Sequence, residues 1–389
     1  MSAPTPLRVV SLLPVLGHPR DSKRIAMLKR AGASVRVVAF ERDYHTGRLP
    51  DAPVTSLGKI PHGRYLSRAV RLLRALPVIR GAMRECDAAY ASGPDMALAA
   101  IVAGAGLRRP VVLEVGDLRR VQLAAGPAGW LMRTFDRFIA NRSTLLVCTA
   151  RGFAEGYYRD RLGSRIPVIY AENKLDFDAC EALAGIAPAP APTPLAGRRI
   201  RIGWFGVLRC EWSWSVLSRI AREHGDRFEV VIAGLPLEPA DLADRARDVP
   251  NLRFLGPYRS PQDLPGLYGA VDLVWACYPG PEVTDPAWRW ALAVSRSNRF
   301  YEACHFRRPL VTVAESGDGQ EVDRLGIGLN LLDQRAEAVF ERLRSVRDAD
   351  IAGWATRMAE LPRSAHVATD EGDRIVAHLV ATLRTGGRA

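Results

Sequence analysis

No helix or sheet can be threaded through residues 185–197, which read GIAPAPAPTPLAG. Each proline fixes φ and removes a backbone donor, so the stretch is a linker. It divides 389 residues into halves that each have room for their own core. One rhythm runs through both halves. Arg8–Leu16 is an apolar strand, the polar turn GHPRD follows at 17–21, and an amphipathic helix runs from about Ser22 to Ala31. Gly32 closes that helix, and Ser34–Phe40 is the next strand. Further strand-like runs stand at Ala88–Ala91, Pro110–Val115, Thr144–Thr149 and Ile166–Tyr170, separated by helical stretches such as Pro127–Asn141. Beyond the linker the alternation resumes at Ile200–Gly206, Phe228–Ala233, Leu252–Leu255, Leu273–Ala276, Leu310–Val313 and Gly328–Leu331. Short strands apolar on both faces, alternating with helices, specify parallel sheets covered on both sides. The expectation is an α/β protein of two Rossmann-like domains, 1–184 and 198–389, with the last helix, about 370–383, crossing back to the first. Ligands of such sheets bind beyond the carboxyl ends of the strands. Two halves set face to face would therefore line a central cleft.

Composition narrows the class. The chain is 48% hydrophobic and 25% charged, as folded soluble proteins are. It has no run of about 18 apolar residues that would span a bilayer, and its start lacks the pattern of a secretory signal. Cys86, Cys148, Cys180, Cys210, Cys277 and Cys304 form no CxxC pair, which speaks against disulfides or zinc and for a reducing cytoplasm. Residues 1–195 hold 28 Lys+Arg against 16 Asp+Glu, and the remainder holds 26 of each. The whole net charge of +12 thus belongs to the first half, which suits an anionic surface or substrate. Within Lys59–Arg84, Arg64, Arg68 and Arg71 fall on one helical face beside leucines, with Pro77 suggesting two short helices. Basic amphipathic helices dock on anionic membranes. The basic charge also raises nucleic acid as a partner, but no zinc-finger, helix-turn-helix or aromatic–basic RNA motif accompanies it.

Two segments carry the chemistry. In Arg201–Arg209 (RIGWFGVLR), a strand ends in glycine and a helix starts near Ser213. Gly206 would let the backbone approach a ligand, the helix N-terminus suits a phosphate, and Arg209 adds a fork of donors. In Ser297–Ala303 (SNRFYEA), a capped helix opens with Asn298 and Arg299 beside a diphosphate, and Glu302 lies a turn further along the same face. A carboxylate there can accept both ribose hydroxyls.

The run SNRFYEA followed by Arg308–Val311 (RPLV) resembles the donor-site helix of GT-B glycosyltransferases, in the style of family 4-like enzymes of bacterial exopolysaccharide and capsule assembly. Leu255–Tyr258 (LGPY), Leu267-Tyr268 and Val271–Leu273 follow in that family's order, and Gly17–Gly32 and Val112–Asp117 (VLEVGD) also fit. The resemblance implies that Arg209, Arg299 and Asn298 hold the donor diphosphate, Glu302 the ribose, and Pro257 and Tyr258 the base. Many family 4 enzymes carry another Glu eight residues before the ribose Glu. Here that position is Val294, so retention and inversion both stay open. For inversion, Asp117 is the candidate general base and His18 a second one. Gly116 would make room for a ligand, while Arg119 and Arg120 would tune Asp117 or, with Arg20, bind an acceptor phosphate.

The expected reaction is sugar transfer from a UDP- or GDP-sugar to a lipid-linked or polysaccharide acceptor at the cytoplasmic face of the inner membrane. The nucleotide sugar is a substrate; no cofactor and no metal is expected. A nucleotide-sugar 2-epimerase is the alternative on the same scaffold.

Overall fold

The computed structural model describes residues 6–41, 49–59, 65–176 and 197–386. Apart from Gly197, the Pro/Ala linker lies outside them, as does Arg64. The chain divides into two compact units, Met1–Glu172 with Thr369–Ala389, and Asn173–Ala368.

In the first unit a seven-stranded sheet has the order β3-β2-β1-β4-β5-β6-β7, and every pairing is parallel. The strands are β1 (Arg8–Leu13), β2 (Ser34–Glu41), β3 (Val54–Lys59), β4 (Ala88–Ser92), β5 (Val111–Val115), β6 (Leu145–Cys148) and β7 (Val168–Tyr170). Alternate side chains divide the sheet into two faces. Val9 and Leu13 of β1 and Val112 of β5 pack with Ile25 and Leu28 of α1 (Pro19–Arg30) and with Ile375 and Leu379 of the last helix. The opposite face is covered by α2 (Tyr65–Glu85), α3 (Pro94–Ala103) and α5 (Pro127–Arg142); α4 (Arg120–Leu123) and a π-helical stretch, Phe153–Arg161, complete the unit.

Two differences from the sequence reading have physical causes. Helix α2 is continuous through Pro77. The carbonyl left without a donor belongs to the turn of Leu73, which is 65% exposed, so water can take the missing bond. Strand β3 was not anticipated: it is a largely exposed edge strand, with no apolar alternation to betray it.

The second unit repeats the winding with six parallel strands, β10-β9-β8-β11-β12-β13. These are β8 (Ile200–Arg209), β9 (Phe228–Glu238), β10 (Leu252–Phe254), β11 (Leu273–Trp275), β12 (Leu310–Val313) and β13 (Gly328–Leu331). The helices are α6 (Glu211–Glu223), α7 (Leu242–Ala246), α8 (Leu264–Gly269), α9 (Pro286–Ala293), α10 (Asn298–Phe306), α11 (Gly317–Leu325), α12 (Ala336–Arg344) and α13 (Asp348–Ala359). The final helix, α14 (Glu371–Arg384), is the one that packs on α1 in the first unit. Trp204, Val230 and Ile232 face one core; Phe205, Val231 and Ala233 face the other. Strands β8 and β9 continue past the expected ends at Gly206 and Ala233, paired to Arg209 and Glu238 with one register shift between Leu208 and Arg209. Gly206 (φ 105°) and Gly234 (φ 141°) make that continuation possible, because a Cβ at Gly234 would collide with the Gly206 carbonyl.

Candidate functional site

Doubly wound sheets take ligands where the strand order reverses, between β1 and β4 in the first unit and between β8 and β11 in the second. Each edge carries a group of polar side chains, and the two groups are built differently.

At the first edge, Pro19 opens α1 directly after His18, so Arg20, Asp21 and Arg24 fall in its first turns. Glu114 of β5 is 1% exposed. It accepts hydrogen bonds from Arg24 Nε (2.9 Å) and Tyr90 Oη (2.8 Å). Arg20 Nε lies 3.9 Å from the same carboxylate. Asp21, also buried, accepts from Ser92 Oγ at 2.8 Å. Burial, then the Glu114 charge, pushes the Asp21 carboxyl up to about 6, against the pull of Arg20, Ser92 and Arg24. Asp117 is exposed at the end of β5, and Arg20 Nη1 donates to it at 3.3 Å. The space that Gly116 leaves is filled by that guanidinium, since a Cβ there would strike Arg20. Arg20 therefore joins the buried Glu114 to the exposed Asp117. His18 takes the N-cap position without capping through its side chain.

The other described arginines singled out in this unit have partners. Arg68 forms an ion pair with Asp95 in the first turn of α3, and Arg119 reaches the same carboxylate at 4.0 Å. Arg71 donates to the Lys59 carbonyl. Arg119 thus lies beside Asp95, while Arg20 is the arginine beside Asp117.

At the second edge, Ser297 caps α10 by accepting from the Phe300 amide at 3.3 Å. Its own N–H and O–H donate to Asp318 at 2.9 and 2.6 Å. Asp318 is buried, which raises its pKa in spite of those donors. Arg299, in the first turn, lies against Gly206 and donates to the carbonyls of Phe205 and Val207, the latter at 3.0 Å. Asn298 is exposed beside it. Glu302 is 7% exposed and accepts from Tyr268 Oη at 2.7 Å. Tyr268 is clamped edge-on to Phe205 and stacked on Phe306. Burial and the Glu302 charge hold the Tyr268 phenol far above its ordinary pKa, so it remains a donor. Tyr258 is raised by the same two causes, while Pro257 is exposed. Arg209 is exposed, with its guanidinium 5.3 Å from the centre of the Tyr278 ring. The next residue, Cys210, caps α6 by accepting from the Ser213 amide at 3.3 Å. Its thiol, pushed up to about 12 by burial, donates to Glu282 at 3.3 Å.

Asn298, Arg299 and Glu302 thus share one helix end, with Arg299 laid on Gly206. Tyr268, Asp318 and Glu282 are additions that sequence reasoning did not single out. Tyr268 stood inside a noted motif but without a role. Asp318 and Glu282 lie 16 residues beyond and 20 residues before Glu302, at spacings that mark no shared face.

Two such units define the GT-B glycosyltransferase fold. HepE from Anabaena, crystallised with UDP and glucose, superposes with a TM-score of 0.61 at 16% identity, covering 96% of this chain and 99% of that one. A sucrose-phosphate synthase from Thermosynechococcus elongatus superposes with a TM-score of 0.68 at 12% identity, over 97% and 99% of the two chains. Residues 24–173 match the glycosyl transferase 4-like domain. The succinoglycan biosynthesis protein ExoL of Rhizobium meliloti (strain 1021) is 32% identical over 314 residues, which are 78% of this chain and 76% of ExoL. The protein belongs to the glycosyl transferase 4-like family and is a glycosyltransferase.

Proposed function

We propose that the protein transfers a sugar from a UDP- or GDP-linked donor to a lipid-linked or polysaccharide acceptor during exopolysaccharide assembly. The observation that carries this reading is the end of α10, where Arg299 stands over Gly206 beside the exposed Asn298 and Glu302 is fixed by Tyr268 one turn away. The likeness to ExoL supports the pathway, and the UDP bound by HepE supports the donor class. On this reading Arg299, Arg209 and the α6 and α10 N-termini stabilise the departing diphosphate, whose negative charge grows as the glycosidic bond breaks. Glu302 orients the ribose, and Pro257 and Tyr258 border the base.

The first unit takes the acceptor. Asp117 receives the proton of the acceptor hydroxyl, with Arg20 holding its carboxylate in place. His18 is the second candidate for that role. The exposed arginines of α2 hold the protein on the cytoplasmic face of the inner membrane; no described helix is long and apolar enough to cross one. A thermal-shift series with UDP, GDP and ADP tests the donor assignment: one of the first two should raise the melting temperature. Indifference to all three would remove the reading. Single-turnover transfer by Asp117→Asn should be abolished while its nucleotide binding is unchanged; normal transfer would take Asp117 out of the mechanism.

A further inference from the structure

Among the described helices of the first unit, exposure of large apolar side chains is one-sided; outside the helices, Leu49 and, at the β3 edge, Val54 are also exposed. Val70, Leu73 and Val78 of α2 and Trp130, Leu131 and Phe138 of α5 are all more than 40% exposed. Helices α1 and α14, on the other face of the sheet, contribute no such residue. Helix α3 packs against both α2 and α5, so the three form one layer.

Helix α5 departs from a normal surface helix in turning large apolar side chains outward. Gly129, Asp136, Ile139 and Ala140 are buried, while Trp130 and Leu131 are each 63% exposed and Phe138 is 45% exposed. The positions 130, 134 and 138 lie on one line along the helix. Asp136, the one acidic residue of α5, is turned inward and bonded to Gln122 (2.7 Å) and Tyr157 (2.6 Å). The charges that remain outward are Arg137 and Arg142, and the Arg142 guanidinium lies 5.3 Å from the Phe138 ring centre. On α2 the outward charges are Arg71, Arg74 and Arg84, and its one acid, Glu85, is taken up by Arg36 of β2.

An apolar ridge fringed by cations matches one occupant best, an anionic bilayer surface, where aromatic side chains settle at headgroup level and arginines meet lipid phosphates. We propose that the α2–α5 layer is a membrane-docking surface in which Trp130, Leu131 and Phe138 of α5 are the inserted part. This rests on the membrane reading above and adds the element that enters the lipid. Helix α5 begins after the loop that leaves β5, so Trp130 and Leu131 lie towards the carboxyl edge that carries Asp117. A docked surface there would bring a lipid-borne acceptor close to that carboxylate.

The test uses the full chain, with vesicles of phosphatidylcholine alone or mixed with phosphatidylglycerol. Wild type should pellet with the mixed vesicles. The triple variant W130S/L131S/F138S should partition about tenfold more weakly, as expected for three exposed apolar groups withdrawn from the interface. Trp130→Phe should still pellet but lose the tryptophan signal that acyl-brominated lipids quench. An unchanged nucleoside-diphosphate thermal shift in the triple variant shows that it is folded. If the triple variant pellets like wild type while R71Q/R74Q/R84Q does not, the membrane reading survives and the α5 insertion is overturned. Wild type that ignores both vesicles overturns both. A wild-type dimer that the triple variant dissociates, without vesicle binding by either, assigns the ridge to a second copy of this chain and overturns the proposal.

Discussion

The two units wind their sheets alike and furnish the reversing strands in opposite ways. In the first unit the switch point is packed with charge: Glu114 and Asp21 are buried among Arg20, Arg24, Tyr90 and Ser92, and the space at Gly116 is filled by a side chain of the same unit. In the second unit the switch point is framed by backbone. Gly206 and Gly234 let two strands run on side by side, Arg299 rests on carbonyls, and the buried carboxylate is tied to a neutral phenol. A charge held by opposite charges is costly to strip and keeps its neighbours fixed. A carboxylate that accepts from a phenol has further lone pairs with which it can accept from hydroxyls. The contrast fits the proposal that the second edge takes the nucleotide donor and the first edge the acceptor.

The largest effect should come from the arginines. Arg299→Ala should weaken nucleoside-diphosphate binding by about 2–3 kcal/mol, the loss expected for charge-assisted hydrogen bonds. Arg20→Ala should leave that affinity untouched. Calorimetric titration of both variants checks the pair, and equal losses would erase the distinction between the edges. A smaller effect belongs to Tyr268→Phe, which removes one donor from the buried Glu302. It should lower stability by about 1–2 kcal/mol in denaturant unfolding and raise the donor KM while kcat changes little. An unchanged KM would mean that Tyr268 does not position Glu302 for the ligand.

The remaining effect is a pH dependence confined to the first unit. The Asp21 carboxyl stands at about 6 in the folded protein against an ordinary value of 3.8. Between those values the folded state binds more protons than the unfolded chain, so this group's contribution becomes less favourable as pH rises from about 4 to 6. Asp21→Asn lacks that penalty. Relative to wild type, the variant should become more stable as pH rises from about 4 to 7. A gap of constant size across that range would show that Asp21 does not titrate there.

Much of this was legible in one dimension because parallel strands buried on both faces must be apolar throughout, and helices must break that pattern. Ile200–Gly206, Leu310–Val313 and their equivalents announced themselves in that way, as did the capped turn that carries Asn298 and Arg299. The edge strand β3 was silent for the same reason, since it buries almost nothing. Pro77 misled because a proline's cost depends on whether water can reach the abandoned carbonyl, which depends on which face is outward.

The sequence by itself determined the alternation of elements, the basic first half and the short run that places an arginine and a glutamate one turn apart. Only the tertiary structure decided that Arg20 and not Arg119 stands beside Asp117, that Tyr268 holds Glu302, and that α5 shows its aromatic side to solvent. Those pairings join residues 34 to 97 positions apart. Periodicity reports only neighbours within a turn or a pleat, whereas contacts at such separations are set by how the sheet winds and how the helices pack upon it.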